Sequence, residues 1–156
     1  MTRLLRAAVL LVAVFTLAGA TGCFGSNSDE NAYVDQLNKV QNLFASSLAK
    51  VQSSAPSRLD AKAQAIQNFD RLETAIDKLS ADLKAVDAPA NVESLHNELI
   101  GEMQEFQVQV KKGAASLTVS DGPGFQAALA QFATEAGQFV TTIRKTISGI
   151  NDKLQE

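Results

Sequence analysis

Residues 125–154 read FQAALAQFATEAGQFVTTIRKTISGINDKL. Phe125, Leu129, Phe132, Ala136, Phe139, Ile143, Ile147, Ile150 and Leu154 recur there at steps of three and four. That spacing places them on one face of a helix, since a strand would send alternate residues to opposite faces. A buried face this long needs partners, and the rest of the chain offers them.

Working back from this stretch, Ser120-Asp121-Gly122-Pro123-Gly124 predicts a turn. Before it, Val92, Leu95, Leu99, Met103, Phe106, Val110, Ala114 and Leu117 form a second stripe of the same period. Pro89 suits the first turn of that helix, where a missing N–H is no loss. Earlier still, Leu59, Ala63, Ile66, Phe69, Leu72, Ile76, Leu79, Leu83 and Val86 repeat the pattern, opened by a capping signal in Ser57-Arg58-Leu59-Asp60 and broken at Asp87-Ala88-Pro89. The first stripe is Tyr33, Leu37, Val40, Phe44, Leu48 and Val51, with Ser28 or Asp29 as cap and a break before Pro56.

Each stretch has about 24–31 residues, or roughly 36–46 Å of helix. Similar lengths and short connections predict antiparallel neighbours, hence an all-α, up-and-down four-helix bundle over residues 29–156. A three-helix bundle or an elongated helical hairpin is the alternative. The near-heptad steps favour helices packed almost parallel to one another. Gly101, Gly113, Gly137 and Gly149 fall inside these helices. They mark either tight crossings or, at Gly113, fraying or a kink.

The core must be mostly aliphatic, because the chain has no Trp, one Tyr and eight Phe. A hydrophobic fraction of 46% with 20% charged residues is that of a folded chain. The net charge is −3, and removing residues 1–22 with Arg3 and Arg6 moves it to −5. That balance argues against nucleic acid and against a polybasic hold on anionic lipid, both of which need clustered Lys and Arg.

Candidate chemistry is sparse. His96 is the one histidine, one residue past Leu95, and reads as a half-exposed boundary residue. A catalytic role would need a nucleophile or carboxylate beside it, and a metal role further N or S ligands. Glu93 and His96 have the Glu-x-x-His spacing of di-iron bundles, but such sites need a second copy of that motif. Glu93, Glu98, Glu102 and Glu105 therefore read as a solvated acidic face, and Asp70, Glu73, Asp77 and Lys78 as an exposed charged face with local ion pairs. Met103 reads as core, and two methionines exclude a methionine-rich copper site. No phosphate loop or nucleophile elbow occurs, so neither catalytic residues nor a cofactor is expected.

The N-terminus is more informative. Arg3 and Arg6 open it, residues 4–18 read LLRAAVLLVAVFTLA, and Gly19-Ala20-Thr21-Gly22 precede Cys23. This is the three-part pattern of an export signal. Its apolar run of about 12–15 residues spans roughly 20 Å as a helix, short for a bilayer core of about 30 Å.

Ala20-Thr21-Gly22-Cys23 resembles a lipobox. The resemblance implies diacylglyceryl transfer to the Cys23 thiol, cleavage after residue 22, and recognition of Ala20, Thr21 and Gly22 by the signal peptidase. The third residue before the cysteine is most often Leu in such signals, and here it is Ala20. Cys23 is the only cysteine, so it has no internal disulfide to make. Residues 23–28 then form a flexible tether. A multiply acylated Cys23 would hold the chain on its membrane without a second anchor, because each buried CH₂ contributes about 0.8 kcal/mol.

With the lipobox, the Tyr33-Val34-Asp35-Gln36-Leu37-Asn38-Lys39-Val40-Gln41 opening and the Pro89-Ala90-Asn91-Val92-Glu93-Ser94-Leu95-His96 segment, the chain resembles a group of small helical lipoproteins in actinobacteria. That resemblance implies an envelope location and carries no catalytic residue. The expected protein is exported, lipid-anchored on the outer face of the cell membrane, and non-enzymatic. It would act as an interaction or scaffold module for an envelope partner. The second expectation is a ligand-binding or sensory bundle for a small apolar molecule, its cavity left by small residues and helix glycines.

Overall fold

The computed structural model describes residues 28–53 and 60–156. The signal segment 1–22, Cys23 with the tether to residue 27, Pro56 and Leu59 lie outside the described residues, as does the side chain of Val51. Four helices follow one another: α1 (Ser28–Ser53), α2 (Ala61–Lys84), α3 (Glu93–Val119) and α4 (Gly122–Leu154). The described residues contain no strand.

Cross-helix pairs fix the directions. Glu73 meets Lys111 at 3.3 Å, and Asp77 accepts from Gln107, so α2 and α3 run antiparallel. Glu102 with Thr146 and Phe106 with Phe139 give the same result for α3 and α4. Residue numbers rise together between α1 and α3, where Glu30 bonds Asn91 and Tyr33 bonds His96. They also rise together between α2 and α4, where Lys62 pairs with Asp121 and Phe69 packs on Phe132. Parallel diagonals and antiparallel neighbours define an up-and-down four-helix bundle.

The apolar stripes form its core. Tyr33, Leu37, Val40, Phe44 and Leu48 of α1 are buried, as are Leu99, Met103, Phe106, Val110 and Leu117 of α3. On α4 the buried face is wider than the stripe, since Val140 and Thr146 join it and Leu129 is only half-buried. On α2 the burial shifts to Ala65, Ala75 and Ser80, while Ala63, Ile66 and Leu72 are half-buried. Helix α2 packs closely against both α1 and α3, which spreads its buried residues beyond one narrow stripe.

Aromatic rings fill the middle. Phe106 and Phe139 stack at 4.0 Å between centroids, and Phe69 tilts against Phe132 at 4.5 Å. Gly113 is the device that admits them. A Cβ added there would lie 2.7 Å from Phe69 Cε1 and 3.0 Å from Phe132 Cδ2. Helix α3 runs unbroken through this position, so Gly113 marks a tight crossing and not a kink. A Cβ added at Gly149 would make ordinary contact with Leu95, whereas one at Gly101 or Gly137 would meet nothing.

The ends depart from expectation in three places. Helix α1 already includes Ser28, so the last tether residue is helical. Pro89 does not stand in the first turn of α3. Val92 N–H donates to the Pro89 carbonyl at 3.0 Å, closing a separate turn, and the helix starts at Glu93. The turn predicted over residues 120–124 shrinks to Ser120 and Asp121, because Gly122 and Pro123 begin α4. Pro123 fits a first turn because no N–H is needed there. Gly122 takes φ +53, a left-handed value that favours glycine. The capping signal ahead of α2 resolves to Asp60, whose carboxylate accepts from Ala63 N at 2.8 Å.

Candidate functional site

The lipobox residues Ala20, Thr21, Gly22 and Cys23 lie outside the described residues, so the geometry concerns the bundle alone. Two polar positions inside it stand out.

The first is His96, only 3% exposed and therefore not a boundary residue. Its position explains the burial. His96 is one helical turn after Val92 and three residues before Leu99, both fully buried. Leu95, the residue expected in the stripe, is the half-buried flank. The stripe and its flank are thus exchanged by one residue.

A polar side chain at a core position needs partners. His96 has one for each ring nitrogen. Nδ1 lies 3.1 Å from the Tyr33 hydroxyl, and Nε2 lies 3.0 Å from the Leu83 carbonyl oxygen. The carbonyl can only accept, so Nε2 carries the proton and donates. Nδ1 then accepts from the phenol. The rings meet edge to face at 5.5 Å between centroids, with 75° between their planes. One imidazole thus ties α1 and α2 to α3.

Burial lowers the His96 pKa below its ordinary 6.5, with the Leu83 bond opposing. Burial also pushes the fully buried Tyr33 phenol well above its ordinary value. Both groups are held neutral. Both ring nitrogens are engaged within the protein.

This array belongs to a polar girdle at one end of the bundle. Asn91 Nδ2 donates to Glu30 at 2.9 Å and to the Lys153 carbonyl at 3.3 Å. Asp87 N–H donates to the Gln36 side chain at 3.4 Å. The first turns of α1 are therefore hydrogen-bonded to the α2/α3 connection and to α3, and Asn91 joins that connection to the end of α4.

The second position is Glu102, expected on a solvated acidic face but only 9% exposed. It stands between Leu99 and Phe106 on the edge of α3 that α4 covers. Oε1 accepts from Thr146 Oγ1 at 2.8 Å, and Oε2 is buried without a partner. Burial raises its pKa above 4.5; the Thr146 bond opposes, and the Glu98 and Glu105 charges add to the rise. Glu93, Glu98 and Glu105 are exposed as expected. No three His, Cys, Asp or Glu side chains among the described residues converge where a metal ion could bind.

The charged face on α2 is also corrected in part. Asp70, Asp77 and Lys78 are exposed, and Lys78 pairs with Asp82 at 2.8 Å within the helix. Glu73 and Asp77 instead reach across to Lys111 and Gln107 of α3, so this face is the outer seam between two helices. Sequence reasoning missed Tyr33 as a polar partner and Thr146 as a buried hydroxyl. The signal for Tyr33 was its phenol on an otherwise apolar stripe. Thr146 gave none, because threonine is common on exposed helix faces.

Comparison with protein-family models, with curated proteins and with solved structures finds no match to this chain.

Proposed function

We propose that this chain is an exported lipoprotein, held on the outer face of the cell membrane by lipid on Cys23, whose helical bundle serves as a non-enzymatic interaction module. The observation that carries the reading is the N-terminal order of Arg3 and Arg6, an apolar run, small residues and the only cysteine. An acylated cysteine alone would provide the attachment, and no helix among the described residues is long and apolar enough to cross a membrane. The interior polar groups support the second half of the reading. His96, Tyr33 and Glu102 bond to other helices and serve packing.

Ser28 opens α1 at the girdled end, so a short tether from Cys23 would put that end nearest the anchor and the turn at Ser120 and Asp121 farthest from it. A partner would meet the long outer faces or that distal end. The experiment is fractionation of producing cells, with chemical cross-linking in intact cells before lysis. The reading expects the wild-type chain in the membrane fraction, accessible from outside, with a reproducible cross-linked envelope protein. A chain found free in the cytoplasm would overturn it.

A further inference from the structure

The structure points to a device that no part of the lipoprotein reading requires. We propose that Tyr33, His96 and the Leu83 carbonyl form an acid-sensitive clasp, and that a proton gained at His96 Nδ1 releases the first turns of α1 from the rest of the bundle.

In the neutral array every polar atom is used: Nε2–H donates to Leu83, and the Tyr33 hydroxyl donates to Nδ1. Adding a proton puts a second N–H on the ring, aimed at the Tyr33 oxygen. The phenol can accept it, but its own proton then loses its acceptor inside a fully buried site. A buried imidazolium also needs a counter-charge.

None stands against it. On α1 the neighbour is the neutral Tyr33, and Glu30, one turn earlier, is bonded to Asn91. On α2 the contact is the Leu83 carbonyl, with Lys84 and Asp87 exposed beyond it. Glu93 on α3 is exposed. At the end of α4, Asp152 is exposed and Lys153 pairs with Glu156 at 2.7 Å. The least disruptive relief is for the end of α1 to lift, giving the imidazolium to water.

That movement is local because the clasp is at the end of the bundle. Helix ends open at lower free energy than the core. The rest of α1 is held by Phe44 and Leu48, and the stacked Phe106 and Phe139 lie elsewhere. The released turns are those that join residue 27 and the tether. The clasp does not depend on whether Cys23 carries lipid; only its consequence at a membrane does.

The chain has one histidine, one tyrosine and no tryptophan, so each partner reports alone. The experiment follows the full chain in detergent micelles from neutral pH to about pH 5. Three readings are taken: hydrogen exchange corrected for intrinsic chemistry, Tyr33 emission, and nitrogen NMR of the imidazole. The clasp predicts exchange over residues 28–40 rising by up to about tenfold per pH unit below 6.5. Tyr33 emission shifts toward that of free tyrosine with the same midpoint, while residues 132–147 keep their protection. His96→Gln, which keeps a donor for Leu83 and cannot titrate in this range, loses the acid response. Three results overturn the proposal: residues 28–40 protected throughout, residues 132–147 opening in step with them, or an unchanged response in His96→Gln. If that variant does not fold, the wild-type imidazole decides. A titration midpoint that coincides with the opening supports the clasp, and one that does not overturns it.

Discussion

The Tyr33 hydroxyl on α1 lies 3.1 Å from His96 Nδ1 on α3, 63 residues along the chain, and the same imidazole reaches the Leu83 carbonyl on α2. Three helices therefore share one polar array inside an apolar core. Buried polar groups with complete partners specify an arrangement more than they add stability. This one fixes the register of α1 against α3, which apolar side chains alone leave looser.

Removing the phenolic oxygen tests that role. Tyr33→Phe keeps the edge-to-face ring contact and leaves Nδ1 without a donor. We expect a loss of about 1–3 kcal/mol in denaturant unfolding at neutral pH. A variant as stable as wild type would show that the bond contributes nothing.

His96 and Glu102 act with opposite sign on stability. His96 has a folded pKa below 6.5, so above 6.5 it adds no pH dependence. As pH falls below 6.5 the unfolded chain takes up a proton that the folded chain resists, and stability drops. Glu102 has a folded pKa above 4.5, so its contribution is complete below 4.5 and is lost as pH rises through the folded value. The unfolding midpoint measured against pH should lose its decline below 6.5 in His96→Gln. It should lose its fall above 4.5 in Glu102→Gln. If either variant keeps the wild-type slope in its own window, the assignment to that residue fails.

The glycines give a paired test. Gly113→Ala gains helix propensity but drives a Cβ into two buried rings. Overpacking of that kind costs about 1–3 kcal/mol, which outweighs the roughly 1 kcal/mol of propensity. Gly137→Ala meets nothing within 4 Å and gains the propensity alone. Thermal unfolding should move down for the first and up for the second. A rise in both would mean that the rings yield freely.

Asp60 is the clearest cap among the described residues, accepting from Ala63 N. Asp60→Ala should lower stability by about 0.5–2 kcal/mol, and Asp60→Asn should recover most of it. Unfolding curves of the two variants would separate the cap from the charge.

Much of the bundle was legible because its signal is periodic. The stripes on α1 and α4 needed only the spacing of Tyr33 to Leu48 and of Phe125 to Leu154. What escaped was which side of each stripe a neighbour would cover. Leu95 and His96 are adjacent, both near the stripe, and hydrophobicity favoured Leu95 for the core. The structure buries His96 because Tyr33 and Leu83 satisfy it, and those partners lie on other helices. Glu102 follows the same logic: its spacing from Leu99 and Phe106 puts it at the edge of the stripe, but the partner that satisfies it, Thr146, comes from α4. The girdle of Asn91, Glu30 and Gln36 was equally hidden, since each member reads alone as a surface residue.

The central claim is that Cys23 becomes the lipid-bearing first residue of the mature protein. Intact and peptide mass spectrometry of the membrane fraction tests it most directly, with Cys23→Ala as control. The account predicts an N-terminal peptide beginning at Cys23 with diacylglyceryl mass on its sulfur, and no such processing in the variant. A mature chain with a free Cys23 thiol, or one cleaved elsewhere, would contradict it.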